Sequence, residues 1–130
     1  MKTTLAILLL STVSIFASHP LDSQFLHALN MVEASGREGY IVGDNGKALG
    51  PFQIHRSYWE DAGVHGCYSM VTNRVYAMQV VTAYLNRYAP FAVINRDYRT
   101  LARVHNGGQY GHRKIATKNY WLRVKQFMKP

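Results

Sequence analysis

Residues 23–50 read SQFLHALNMVEASGREGYIVGDNGKALG, and the change of character within them decides the fold. From Ser23 to Ala34 the apolar residues Phe25, Leu26, Leu29 and Val32 fall on one helical stripe, with Asp22 or Ser23 as N-cap and Gly36 as the stop. Over 36–54 the pattern breaks: Gly36, Gly39, Gly43, Gly46 and Gly50 punctuate Tyr40-Ile41-Val42, and Asn45-Gly46 is a strong short hairpin signal. A helix followed by a small β region is therefore expected, and the rest of the chain reads as helix.

Ser57-Tyr58-Trp59-Glu60 has capping-box spacing and opens a short helix that Gly63 and Gly66 end. Between Thr72 and Tyr88, Val75, Met78, Val81 or Thr82, and Leu85 make one stripe of the longest and most buried helix, closed by Pro90. Asp97 caps a helix carrying Leu101, Ala102 and Val104 that stops at Gly107-Gly108. Thr117 or Ala116 opens a last helix bearing Tyr120, Trp121, Val124 and Phe127. The expected class is α+β, mostly helical with a small β-hairpin subdomain and a cleft between the two.

Toward the N-terminus the chain reads Lys2, an apolar run from Leu5 to Leu10, then small residues ending at Ala17, which is the pattern of a secretory signal over residues 1–17. The apolar run is shorter than the roughly 20 residues that span a bilayer, so cleavage after Ala17 or Ser18 would leave no stable membrane anchor; an uncleaved N-terminal anchor is the competing reading. Residues 18–130 then form one domain, with no repeat or linker to divide them. A secreted or periplasmic monomer is expected.

Of 130 residues, 48% are hydrophobic and 17% charged, enough for one core. Fifteen Lys and Arg against seven Asp and Glu give a formal charge of +8, which suits an anionic partner, and export favours a cell envelope over nucleic acid. Arg103, Arg113, Lys114, Lys118, Arg123 and Lys125 crowd the C-terminal third as the expected basic surface, a solvated helical face being the plainer reading. The single cysteine, Cys67, excludes an internal disulfide and any zinc site built on cysteines; it has no cysteine-hydrolase signature around it and reads as a buried or idle thiol. The histidines lack the paired spacing of a helical metal site, so neither metal nor other cofactor is expected. Gly107-Gly108 lacks the lysine of a phosphate-cradling loop.

So few acids can be weighed one by one. Asp22 and Asp97 occupy cap positions and Glu60 belongs to the capping box, which leaves Glu33, Glu38, Asp44 and Asp61. Glu33 follows Leu26 by seven residues and Leu29 by four, so it shares their apolar face at the negative end of the helix. Both conditions disfavour the ionised form, as a general acid requires. A carboxylate turned outward to Arg37 is the competing reading. Asp44, in the polar turn Gly43-Asp44-Asn45-Gly46, should remain charged, unless it is there only as hairpin chemistry. One carboxylate kept protonated and one kept ionised is the arrangement that hydrolyses glycosides.

Val32-Glu33-Ala34-Ser35 leading to Gly43-Asp44, Gly50-Pro51-Phe52-Gln53-Ile54 with Ser57-Tyr58-Trp59, Val81 to Tyr88, and Val104-His105-Asn106-Gly107-Gly108 leading to Tyr120-Trp121 stand in an order that resembles the invertebrate-type (destabilase) lysozymes. The first and last stretches are also similar to lytic transglycosylases and goose-type lysozymes. The resemblance, over about residues 25–125, implies a lysozyme-like fold, Glu33 as general acid and Asp44 as second catalytic carboxylate. It also implies a cleft lined by Gln53, Ile54, Tyr58, His105, Asn106, Gly107 and Gly108, which would bind peptidoglycan glycan strands. Animal members of that family are cysteine-rich, so a chain with Cys67 alone suggests a bacterial or phage-like branch. Two alternatives stay open: a lytic transglycosylase using Glu33 alone, and a catalytically idle, cationic glycan-binding or membrane-active protein.

Overall fold

The computed structural model describes residues 18–129; the expected signal over 1–17 lies outside them. Six α-helices and three short strands follow in the order α1 (Ser23–Ala34), β1 (Val42–Gly43), β2 (Ala48–Leu49), β3 (Ile54–His55), α2 (Arg56–Ala62), α3 (Arg74–Tyr88), α4 (Pro90–Ile94), α5 (Tyr98–Gly107) and α6 (Lys118–Phe127), with short 3-10 turns between. The strands form one antiparallel sheet in the order β1-β2-β3, with Gly43 opposite Ala48 and Leu49 opposite Ile54. The α+β class is as expected, although the hairpin has gained a third strand.

The first helix starts as its sequence requires. Asp22 Oδ1 accepts from the backbone N–H of Gln24 at 2.8 Å and of Phe25 at 3.3 Å, satisfying donors that the helix itself leaves free. Its far end turns at Ser35, which takes the left-handed conformation with φ 54°, one residue before the expected glycine. The β1–β2 connection is longer than a two-residue Asn-Gly turn. Asp44, Asn45 and Gly46 all have positive φ in a single 3-10 turn, a conformation that Asp and Asn tolerate better than most side chains.

Two glycines position this hairpin. A Cβ on Gly43 would lie 1.9 Å from Gln53 Oε1, so the bare α-carbon leaves room for the Gln53 amide. That amide donates to the carbonyls of Ile41 and Gly50 at 3.1 and 3.0 Å, bracing the loop from inside. Gly50, at φ 81°, would carry a Cβ only 2.2 Å from the Val71 carbonyl oxygen, so the sheet sits directly on the turn that leads into α3.

Several expectations need correction. Strand β3 runs straight into α2, whose N-cap is His55 with no side-chain cap bond; Ser57 is already inside the helix and makes no capping box with Glu60. α3 begins at Arg74 with Asn73 as cap, and the face it buries is Tyr76, Ala77, Val80, Val81, Tyr84 and Leu85, while Val75 is 65% exposed. The helix carries apolar side chains nearly all round, so periodicity alone could not set its rotation. α3 ends at Tyr88, just before Pro90 as expected, and Pro90 also opens α4, where its missing N–H and fixed φ suit the first helical turn. Arg103 is buried, donating from Nε to Thr117 Oγ1 at 2.9 Å and from Nη2 to the Lys114 carbonyl at 2.8 Å, so it belongs to the framework and not to the basic surface. Phe127, expected on the buried stripe of α6, is exposed; Tyr120 and Val124 are buried as expected. Cys67 is exposed, with Sγ 3.2 Å from Ser69 Oγ.

The core gathers Phe25, Leu29, Phe52, Val80, Leu85, Leu101, Val104 and Val124 between α1, α3, α5 and α6. With no internal disulfide, burial of this apolar surface carries the stability. Leu85 is wholly buried. Leu85→Ala should therefore lower the unfolding free energy by about 2–5 kcal/mol, read by urea denaturation. A loss under about 1 kcal/mol would mean that the site collapses around the deletion.

Candidate active site

A cleft of about 610 Å³ separates the helical body from the β-sheet, and Glu33, Asp44, Gln53, Tyr58, His105 and Asp61 are among its lining residues. Glu33 reaches it from the last turn of α1. Its Oε1 accepts the Tyr120 hydroxyl proton at 2.7 Å and lies 3.4 Å from His105 Nε2. The Glu33 side chain is 19% exposed and that of His105 only 4%. Arg37, the outward partner considered for Glu33, instead donates from Nε to the Ala34 carbonyl. The carboxyl is thus turned inward.

A second layer holds the histidine. Tyr58 Oη and His105 Nδ1 are 2.9 Å apart, and the Tyr58 ring stacks on Tyr84 with centroids at 3.6 Å. Burial, followed by the neighbouring Tyr84 and the charge of Glu33, holds Tyr58 well above the usual phenol range. Burial and then the Glu33 charge do the same for Tyr120. Both hydroxyls therefore keep their protons throughout the neutral range. If Tyr58 donates to Nδ1, the remaining His105 ring proton lies on Nε2, facing Glu33.

Asp44 stands in a different setting. It projects from the β1–β2 turn with its side chain 56% exposed, and its Oδ2 lies 3.1 Å from His55 Nε2. One carboxyl is sunk and accepts a hydrogen bond from a phenol; the other is solvated and flanked by an imidazole. Acid and charge-stabilising roles divide between such environments.

The structure brings Glu33, Asp44, Gln53, Tyr58, His105, Asn106 and Gly108 to the cleft. It does not bring Ile54 there: that side chain is 1% exposed and packs in the core, because alternation along β3 turns Ile54 inward and His55 outward. Gly107 also faces away, since a Cβ on it would meet Thr117 Cγ2 at 2.5 Å. His55, Tyr84 and Tyr120 had no place in the expected site, and Asp61, one of the four candidate acids, had no role assigned. The strand alternation could have exposed His55; Tyr120 was absorbed into an apolar stripe, and nothing in the sequence marked its hydroxyl.

A family model described as Destabilase matches residues 23–127. The chain belongs to the destabilase family. This destabilase-family chain is similar to the lysozyme of Magallana gigas, 33% identical over 124 residues that cover 93% of this chain and 90% of the relative. It is also similar to that of Meretrix lusoria, 32% identical over 114 residues covering 85% and 93%. Among solved structures, Meretrix lusoria lysozyme in complex with Aeromonas hydrophila PliI superimposes with a TM-score of 0.69 at 30% identity, covering 85% of this chain and 93% of that one. Tapes japonica lysozyme does so with 0.64 at 27% identity, covering 82% and 89%. These relatives are bivalve lysozymes, and none of them supports a bacterial or phage-like branch.

The buried phenols set an alkaline limit on the fold. In the unfolded chain these groups titrate near 10.0, whereas burial, with Tyr88 and Asp61 nearby, pushes Tyr84 up to about 12, and Tyr58 and Tyr120 also titrate late. Above pH 10 the unfolded state therefore releases protons that the native state keeps, and stability, full below that point, falls as pH climbs. Urea midpoints measured across this range should decline, and Tyr120→Phe should flatten the decline; identical slopes for variant and parent would remove Tyr120 from the effect.

Proposed function

We propose that the protein is a secreted muramidase that hydrolyses the β-1,4 bond between N-acetylmuramic acid and N-acetylglucosamine in peptidoglycan. The observation that carries this reading is Glu33, held at the end of α1 by the Tyr120 hydroxyl and facing His105 in a cleft that also contains the solvated Asp44. Similarity to lysozymes at about 33% identity supports the same activity.

Glu33 protonates the glycosidic oxygen as the bond to the anomeric carbon breaks. Tyr120 fixes Oε1, and no hydrogen bond engages Oε2 among the described residues, which leaves that oxygen to address the leaving group. Asp44 stabilises or attacks the developing oxocarbenium centre, and Glu33 then takes a proton from the incoming water. Tyr58, Asn106 and Gly108 line the path of the glycan, and Gln53 contributes its Oε1 edge because both hydrogens of its amide hold the hairpin. Secretion follows from residues 1–17 and suits a basic protein acting on an anionic wall.

Glu33→Gln keeps the side-chain shape and loses the transferable proton. It should leave the circular dichroism spectrum unchanged and lower release of reducing ends from purified peptidoglycan by at least about a hundredfold. Near-parental release by the folded variant would take Glu33 out of the mechanism.

One feature favours a second reading. Asp44 already has His55 as neighbour, and a lytic transglycosylase needs no second carboxylate, since the muramyl 6-hydroxyl closes on the anomeric carbon. Mass spectrometry of the released muropeptides separates the two. Hydrolysis yields reducing muramic acid and a large loss of rate in Asp44→Asn; 1,6-anhydro products with a nearly active Asp44→Asn would establish the transglycosylase.

A further inference from the structure

The β1–β2 turn that carries Asp44 has a second concave side. A pocket of about 460 Å³ lies there, lined by Gly46, Lys47, His55, Arg56, Ser57 and Tyr68. It shares His55 and Ser57 with the main cleft, so the two are contiguous. Three of its side chains are basic and none is acidic. Ion pairs among the described residues join His55 to Asp44, Arg74 to Glu38 and His105 to Glu33, and neither Lys47 nor Arg56 takes part in one.

The frame around these charges is built from hydrogen bonds. The Tyr68 hydroxyl donates to the Ile54 carbonyl at 2.6 Å and lies 3.4 Å from that of Lys47, tying the turn to β3. The Arg56 guanidinium stands 4.8 Å from the centre of the same ring, which restricts where it can swing. Lys47 and Arg56 flank the cross-strand pair of Ala48 and His55, so the register of β2 and β3 holds both at this one concavity. They stand beside Asp44, whose Oδ2 lies 3.1 Å from His55 Nε2.

We infer that this pocket is a subsite for an anionic oxygen group, carboxylate or phosphate, borne by the polymer whose glycan occupies the cleft. This rests on the reading of the cleft as a glycan site and adds the part of the substrate that sets its register. Arg56 offers a planar pair of donors and Lys47 a point charge, with His55 between them and the cleft. Along a strand of alternating sugars only the muramyl residue carries a carboxylate-bearing stem. A cationic pocket at a fixed offset from Asp44 therefore selects which sugar lies on that side of the cut, and separates peptidoglycan from a neutral glycan of the same linkage. Wall phosphate, carried by teichoic acid, is the other source of the same chemistry.

Co-sedimentation with insoluble walls tests this without any need for cleavage. Three preparations are used: peptidoglycan stripped of teichoic acid, the same material with its carboxylates converted to carboxamides, and walls that retain teichoic acid. The parent should lose about tenfold in affinity when the carboxylates are amidated. The Lys47→Met, Arg56→Gln double variant should bind native peptidoglycan about tenfold more weakly and should distinguish it from the amidated form far less than the parent does. Lys118→Met with Lys125→Met removes the same net charge elsewhere and should still distinguish them. A loss by the pocket variant confined to walls with teichoic acid identifies the anion as phosphate and also supports the subsite. If the two double variants behave alike on all three walls, the subsite is refuted and only general charge attraction remains. Muropeptide release by the parent is read in parallel, so failure of the muramidase reading shows as binding without cleavage.

Discussion

One buried amide ties the helix that bears Glu33 to the hairpin that bears Asp44. Asn30 lies in α1, one turn before Glu33, and is 1% exposed. Its Nδ2 donates to the carbonyls of Arg37 and Pro51 at 3.1 and 3.0 Å, and its Oδ1 accepts from Arg74 Nη1 at 3.2 Å. Arg74 in turn pairs with Glu38. A polar group this deep is tolerated only when its bonds are made, and here the bonds join α1 to three other pieces of chain. The end of α1, the loop that leaves it, the Gly50-Pro51 corner of the hairpin and the start of α3 are held to one point. The helix that bears Glu33 and the sheet that bears Asp44 are thereby set against each other before any substrate arrives.

Around that anchor the two carboxyls are given unlike surroundings by unlike means. Glu33 is reached by phenol and imidazole groups drawn from α6 and α5, elements more than seventy residues away in the chain. Asp44 is presented by its own turn, whose three consecutive positive φ angles lift it off the sheet. Long-range packing prepares one and local backbone geometry the other. A disturbance of the helical core would consequently reach Glu33 first, while a change in the turn would reach Asp44 and leave its partner in place.

Features set by local hydrogen bonding and backbone conformation are legible in the sequence, and those set by distant packing are not. Asp22, Asp97 and Gly63 mark helix ends through short-range hydrogen bonding and backbone conformation, and the elements end where those residues stand. Glu33 and Asp44 were legible because scarcity of acid left few candidates. The rotation of α3 was not, since apolar residues surround it and only the neighbouring helices choose its inward face. Ser57 matched a capping pattern, but the strand before it supplied the helix with a different start. Asn30 and Tyr120 sat inside helical stretches as one polar interruption and one more aromatic. Their importance is a property of what packs against them, which no single window of sequence contains.

The solitary thiol of Cys67 has a consequence for how this molecule comes into being. With no partner cysteine in the chain, reaching the native state involves no disulfide oxidation, no disulfide reshuffling and no correct choice among pairings. The native topology is encoded wholly in noncovalent terms, by a satisfied amide at Asn30 and an apolar centre, and is therefore the same in a reducing cytosol as in an oxidising exterior. Redox conditions touch only what happens afterward, at the surface: an exposed sulfur can be joined to another molecule or capped by a small thiol, and either change can be reversed without passing through the unfolded chain.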